Sequence, residues 1–331
     1  MSELNKVSRK ELPDLTNLNL ILSRSDRVAA SDVIEHDFIL HQLNDNSEPN
    51  DIWPLAQWRL ALEELSITLG NHKWLCADPV YIHPDRDQAL LIAHEELEID
   101  LDEAKQLAEL INQHYHDDPW ELHVGSTHRW YIKLHQSYDI ETHVLHRVKG
   151  KNIFDYLPVG GDARYWQQCM NELQMLLHGS EINQKREERG LMPINSLWFW
   201  GHGQNINERH EDVSLHWQKI YSDDAVLNGL GILSGSQVAA LPDEIDDIKS
   251  IDGDVLVVTQ QLQIASQQHD IFAWLDELQY LERYWFLPLV ERVKQTPGLQ
   301  VTLLVSDVEA YQFSAKHMKR WWRFTNKNKL F

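Results

Sequence analysis

Residues 194–204 read INSLWFWGHGQ. A short, unbroken apolar run bounded by turn-forming residues reads as a strand covered on both faces. Here Asn195 and Ser196 stand on one side and Gly201 on the other. Gly201 and Gly203 then let the backbone turn sharply and come close to a ligand or to another piece of chain. A lone Gly-x-Gly is weak evidence for phosphate binding. The tryptophans therefore belong to a two-sided core, and the glycines mark the mouth of a pocket whose contents they do not name.

Working outward from that strand, apolar runs alternate with helical patterns. LNLIL at 18–22 reads as a first strand, DVLVVT at 254–259 and VTLLV at 301–305 as later ones. Leu55, Trp58, Leu62, Leu65 and Leu69 recur at helical spacing within 53–69. Asp100 and Glu103 make a capping box for the helix carrying Leu101, Ala104, Leu107, Ala108, Ile111 and Tyr115. RWYIKL and THVLHRV, between 120 and 148, look extended. Helices are expected over 162–178, near 222–240 and from Asp270, where Pro288 should kink or divide the last one. Such alternation predicts an α/β fold with a mostly parallel sheet and helices on both faces. In this reading residues 1–74 and 161–331 form the core, and 75–160 a smaller β-rich insertion.

The chain has 331 residues, 43% of them apolar, enough to bury a large core. Its net charge of −21 repels nucleic acid and anionic lipid, so neither is an expected partner. Cys76 and Cys169 suggest neither a disulfide framework nor a thiolate metal site. MSELNKVSRKELPDL has no apolar signal region and no apolar run approaches a membrane span, so the default location is the cytoplasm.

In sheets of this kind ligands bind beyond the carboxyl ends of the strands. Those ends carry Ser23, Arg24, Ser25 and Asp26; Gly201, His202, Gly203 and Gln204; Thr259 and Gln260; and Ser306, Asp307 and Val308. The stretch 173–203, LQMLLHGSEINQKREERGLMPINSLWFWGHG, resembles archaeal-type cofactor-independent phosphoglycerate mutases. The matching positions are Asn183, Arg186, Gly190, Asn195, Trp198, Trp200, Gly201 and Gly203. ADPVYIHPDRD at 77–87, THRWYIKL at 127–134 and NELQMLLH at 171–178 resemble more closely the RpfE-like group of bacterial regulatory proteins, relatives of that mutase. The resemblance implies an alkaline-phosphatase-like core, and in catalytic relatives a pair of divalent ions, Mn or Zn, held by Asp and His at strand ends.

This sequence departs from that pattern where the ions would bind. An Asp-Gly pair is replaced by Ser23-Arg24, and Asp-His by Asp307-Val308, which leaves Asp307 as a remnant ligand. The His-rich loop after DVLVV is QQLQIASQQHD. The expected function is a non-catalytic regulatory or scaffolding protein. The alternatives are a metal-dependent phosphoryl-transfer enzyme, mutase or phosphatase, and a small-molecule sensor retaining a phosphate pocket. Candidate ligand-binding residues are Asn183, Arg186, Asn195, Gly201, His202 and Gly203. No catalytic residue is assigned: Ser23 and Ser25 lack a nucleophile elbow and an evident base. His114, His116, His143, His146, His210 and His216 have no spacing tied to a metal geometry and read as solvated or hydrogen-bonded side chains. Arg24, Arg27 and Arg189 read as surface charges. Lys319, Arg320, Trp321, Trp322 and Arg323 form a basic-aromatic segment that suits docking on the acidic body or on an acidic protein partner.

Overall fold

The structure, a computed structural model, describes residues 18–23, 54–63, 72–86, 88–203, 217–251, 253–262, 265, 271–305 and 309–318. The chain forms two compact units, residues 45–213 and residues 1–44 together with 214–331. The sequence boundaries fell elsewhere, with 161–213 assigned to the core; by contacts that stretch belongs with 45–160. The first strand, β1 (Leu18–Ser23), lies in the unit of the two chain ends.

The unit of residues 45–213 is organised around one long strand. After α1 (Leu55–Leu60) come β2 (Lys73–Asp85) and β3 (Gln88–Ala93), then α2 (Leu101–His114), β4 (Trp120–Val124) and β5 (Trp130–Leu134). The short α3 (Leu145–Val148), α4 (Ala163–His178) and α5 (Glu181–Glu188) lead to β6 (Ser196–Trp200). Cys76 pairs with both Tyr131 and Trp200, and Val80 with both Ala93 and Ser196. β5 and β3 therefore share one edge of β2 and β6 takes the other. β4 pairs with β5, and every pairing in this sheet is antiparallel.

All five residues of β6 are buried, as its composition predicts. Its run of apolar side chains reported two-sided burial and said nothing of strand direction, which is why the expected parallel neighbours are replaced by an antiparallel one. On one face an aromatic layer gathers under α4. The Trp166 ring lies 4.9 Å from Phe199, 5.1 Å from Tyr138 and 6.3 Å from Trp120, centre to centre. Such rings bury large areas and add edge-on or offset attraction. The capping box of α2 forms as read, with Asp100 Oδ1 accepting from Glu103 N at 2.8 Å. THVLHRV, expected to be extended, instead closes a helical turn, with Lys149 N donating to Leu145 O and Gly150 leaving the turn at φ +74°.

The other unit holds a six-stranded sheet ordered β11-β10-β1-β9-β7-β8. Its further elements are β7 (Lys219–Tyr221), α6 (Ala225–Leu233), β8 (Gln237–Ala239), β9 (Val255–Thr259), α7 (Ile271–Leu281), α8 (Leu287–Gln295), β10 (Gln300–Val305), β11 (Glu309–Ser314) and α9 (Ala315–Met318). β7 runs parallel to β8 and β9, whereas β1 is antiparallel to β9 and β10, and β10 to β11. The molecule is thus mixed α/β, and the expectation of a mostly parallel sheet is corrected. Three residues separate β10 from β11, too few for the crossover that parallel pairing needs. The helix-like stretch 222–240 divides into α6 and the strand β8.

At Pro288 the long helix is divided, as expected, by a π-helical turn over Glu282–Phe286. Pro288 then falls in the first turn of α8, where a missing N–H breaks no bond. Trp274, Leu281, Trp285, Leu289 and Val293 from these helices pack with Val255, Val257 and Val301 of the sheet.

Candidate functional site at the end of the buried strand

The backbone leaves β6 through Gly201 at φ +75° and Gly203 at φ +65°. Both lie in the left-handed region, which glycine enters without strain. A Cβ on Gly201 would also stand 3.2 Å from Ala56 N and from Leu55 Cβ. The close approach that the sequence predicted is therefore to α1: Gly201 O accepts from Ala56 N at 2.9 Å, satisfying a free N–H at the start of that helix.

His202, between the two glycines, is 1% exposed, and neither ring nitrogen has a hydrogen-bond partner. Burial, and after it Lys73, pushes its pKa down to about 4. The side chain is a neutral imidazole at pH 7, with a donor and an acceptor both unused.

Beside this turn lies a buried ionic cluster that sequence reading missed. Arg59 of α1 grips Asp78 of β2 with two bonds of 2.7 Å, and both residues are under 5% exposed. Asp78 Oδ2 also accepts from Trp200 Nε1 at 2.9 Å, and Oδ1 from Trp130 N at 3.3 Å. The guanidinium carbon sits 4.7 Å from the centre of the Tyr131 ring and 4.9 Å from that of Trp200. Nearby Glu63 accepts from Arg129 Nε at 2.6 Å and Tyr131 OH at 2.9 Å. Cys76 belongs to the same cluster, and burial raises its pKa far above the ordinary thiol value, so it is an inert thiol. The available signal was Asp78 itself: a carboxylate inside the apolar run of KWLCADPV must find a cation.

The remaining candidates are engaged by the protein. Asn183 is 1% exposed; its amide donates to Leu177 O and Ile194 O and accepts from Ile194 N, each at 2.8 Å. Arg186 is fully buried, bonded to Glu103 at 2.6 Å, to Met192 O at 2.9 Å and to Leu97 O. Arg189, read as a free surface charge, shares Glu103 with it at 2.8 Å. Asn195 uses its side chain as a strand partner, accepting from Ile82 N at 2.8 Å and donating to Ile82 O at 3.0 Å. These residues stitch α2, α5 and the approach to β6 to one another. Gly201, His202 and Gly203 are the three candidates brought to the same turn beside the ionic cluster.

In the other unit the carboxyl ends of the parallel strands β7 and β9 carry Ser222, Asp224, Thr259 and Gln260. Asp224 Oδ1 accepts from Leu227 N at 2.7 Å, capping α6, and its Oδ2 accepts from Gln260 Nε2 at 2.9 Å. Ser222 Oγ accepts from Asp224 N at 2.9 Å, and Ser222 O from Asn228 Nδ2 at 2.8 Å. Among the described residues no three His, Cys, Asp or Glu side chains converge to hold a metal ion, and no helix is long and apolar enough to cross a membrane. Arg24, Ser25, Arg27, His210, His216, His269, Asp270, Asp307 and residues 319–331 lie outside the described residues, so Asp307 and the segment Lys319, Arg320, Trp321, Trp322 and Arg323 receive no structural account.

Residues 76–183 match the sequence model of the family described as 2,3-bisphosphoglycerate-independent phosphoglycerate mutase. The mutase of that name from Methanothrix thermoacetophila is 32% identical over 123 residues, covering 37% of this chain and 31% of that protein. A probable mutase from Geobacter sulfurreducens is 34% identical over 95 residues, covering 28% of this chain and 24% of that one. The Methanosarcina mazei protein is 28% identical over 144 residues, covering 42% and 36%. The matched part of the chain thus spans about a third or less of each of these relatives. A cofactor-independent phosphoglycerate mutase from Thermoplasma acidophilum aligns in structure over 82% of this chain and 75% of its own, at 16% identity and a TM-score of 0.34. The family model's match runs from within β2 into the start of α5.

Proposed function

We propose that this chain is a non-catalytic regulatory or scaffolding protein built from mutase-related sequence, in the manner of the RpfE-like group it resembles. The supporting observation is the edge formed by the carboxyl ends of the parallel strands β7 and β9, the kind of strand end beyond which ligands bind in α/β sheets. Asp224 spends one oxygen on the N-terminus of α6 and the other on Gln260, and Ser222 is folded back onto Asp224. A carboxylate that binds a metal must leave its oxygens free for the ion. Here they serve as a helix cap and a strand-end clamp. The residues described at this edge therefore do not fit a two-metal centre.

Regulation without chemistry requires a partner, and the basic-aromatic segment from Lys319 to Arg323 is proposed as its docking surface, suited to an acidic protein. The competing reading, a mutase or phosphatase using Mn or Zn, draws its support from the family match over 76–183. The two are separated by assaying the purified protein with 2- and 3-phosphoglycerate and a phosphomonoester, with Mn or Zn added. The regulatory reading predicts no turnover above a metal-only control; metal-dependent interconversion or hydrolysis would overturn it.

A further inference from the structure

One tyrosine of the aromatic layer under α4 is hydrogen-bonded differently from its neighbours. Tyr165 OH donates to Asp118 Oδ1 at 2.6 Å, the length of a charge-assisted bond to a carboxylate, and its oxygen accepts from Trp120 Nε1 at 2.7 Å. Among the described residues Asp118 makes no other side-chain hydrogen bond. The Tyr165 ring lies 5.7 Å from Tyr138, nearly parallel to it, and 5.4 Å from Trp166, centre to centre. Through Trp166 and Trp120 the contacts continue to Tyr115, whose ring is 4.7 Å from that of Trp120. Trp166 is fully buried, Trp120, Tyr115 and Tyr138 are buried, and Tyr165 is half-buried.

Proton acceptors are unevenly spread over this connected group. Trp166 Nε1 is buried without a partner, and among the described residues Tyr138 OH has no bond to a carboxylate. Tyr115 OH reaches Glu172 only at 3.4 Å and Cys169 O at 3.3 Å. Tyr165 alone holds a short bond to a carboxylate. The difference matters when an electron is removed. An oxidised aromatic ring is a strong acid, and a radical cation left in the interior is an unpaired buried charge. At Trp166 that charge has no base to relieve it. At Tyr165 the phenol proton passes along the 2.6 Å bond as the electron leaves, so that both products, a phenoxyl radical and a carboxylic acid, are uncharged. Burial and, after it, the bond to Asp118 hold the phenol pKa above its usual value, which keeps the proton in place until then.

We propose that Tyr165, paired with Asp118, is a one-electron redox site that collects oxidising equivalents delivered to the aromatic layer by a soluble oxidant, an oxygen-centred radical or a high-potential metal complex. The oxidant gains one electron, the Tyr165 O–H bond breaks, and Asp118 takes the proton. A soluble one-electron reductant such as ascorbate then supplies an electron, Asp118 returns the proton, and the phenol re-forms. Oxidation is thereby drawn away from Trp166 and from the buried thiol of Cys169 on the same helix. The site belongs to the unit of residues 45–213 and requires nothing of the β7–β9 edge.

The test is flash photolysis of the full chain at neutral pH with tris(bipyridine)ruthenium and an electron-accepting quencher, read by electron paramagnetic resonance of freeze-trapped samples. A tyrosyl radical is expected. Tyr165→Phe should lose that signal and show a tryptophanyl radical in its place. Asp118→Asn, whose amide oxygen still accepts the hydrogen bond but does not take the proton, should lose it as well, and Tyr115→Phe should keep it. Absence of a tyrosyl radical in the unaltered chain, an undiminished one in Tyr165→Phe or Asp118→Asn, or its loss in Tyr115→Phe would overturn the site. On the unaltered chain, a nitroso spin trap followed by peptide mass mapping should mark Tyr165; adducts confined to exposed tyrosines such as Tyr311 would also overturn it.

Discussion

Asn183 carries three hydrogen bonds on one buried amide, between the end of α4 and the entry to β6. Truncation to Ala would strand both backbone groups of Ile194 away from water, while Leu177 O keeps its bond from Ser180 N. Each stranded group costs about 1–3 kcal/mol, so Asn183→Ala should lose roughly 2 kcal/mol or more of unfolding free energy in urea titrations. A ligand-binding role would instead leave stability nearly unchanged. Gly201→Ala should lose about 1–3 kcal/mol, because it combines positive φ with a tight approach to Ala56. His202 gives a pH signature. Its folded pKa of about 4 lies below the unfolded value near 6.5, so the unfolded chain takes up a proton that the folded one refuses. Stability should fall as pH drops from about 6.5 to about 4, by roughly 3 kcal/mol in all, and this contribution should then level off. His202→Phe should flatten that part of the profile, measured by urea unfolding across the range.

At the scale of elements, the Arg59–Asp78 pair ties α1 to β2 and, through Trp200 Nε1, to β6. Removing one partner leaves a buried charge: Arg59→Met should cost about 3–5 kcal/mol, and Arg59→Met/Asp78→Leu less than the sum of its singles. Additive losses in the double-mutant cycle would show that the two charges are not coupled. The same elements show what sequence conveys and what it withholds. SLWFW announces its burial because both faces need apolar cover, and Asp100 and Glu103 announce a helix start because three-residue spacing suffices to form the box. Strand direction is different. It depends on what lies between strands and on which edge is free, and β6 finds its place beside β2, whose paired residues stand 116 (Val80 to Ser196) to 124 (Cys76 to Trp200) positions earlier. Asn183, Arg186 and Asn195 were recognisable as special residues, but their partners, including Glu103 and Ile82, come from distant parts of the chain, so a binding role and an architectural one looked the same.

For the whole molecule, sequence similarity and strand-end chemistry point in different directions. The family model matches 76–183, within the unit of residues 45–213. The β7–β9 edge belongs to the other unit, where Asp224 and Ser222 serve as caps and clamps. A sequence match over 76–183 does not by itself assign chemistry to the β7–β9 edge. The measurement closest to this claim is the metal stoichiometry of the intact protein after equilibrium dialysis against Mn and, separately, Zn. The account predicts well under one equivalent bound and no rise in Tm. Two equivalents of either ion, held tightly and accompanied by a higher Tm, would contradict it.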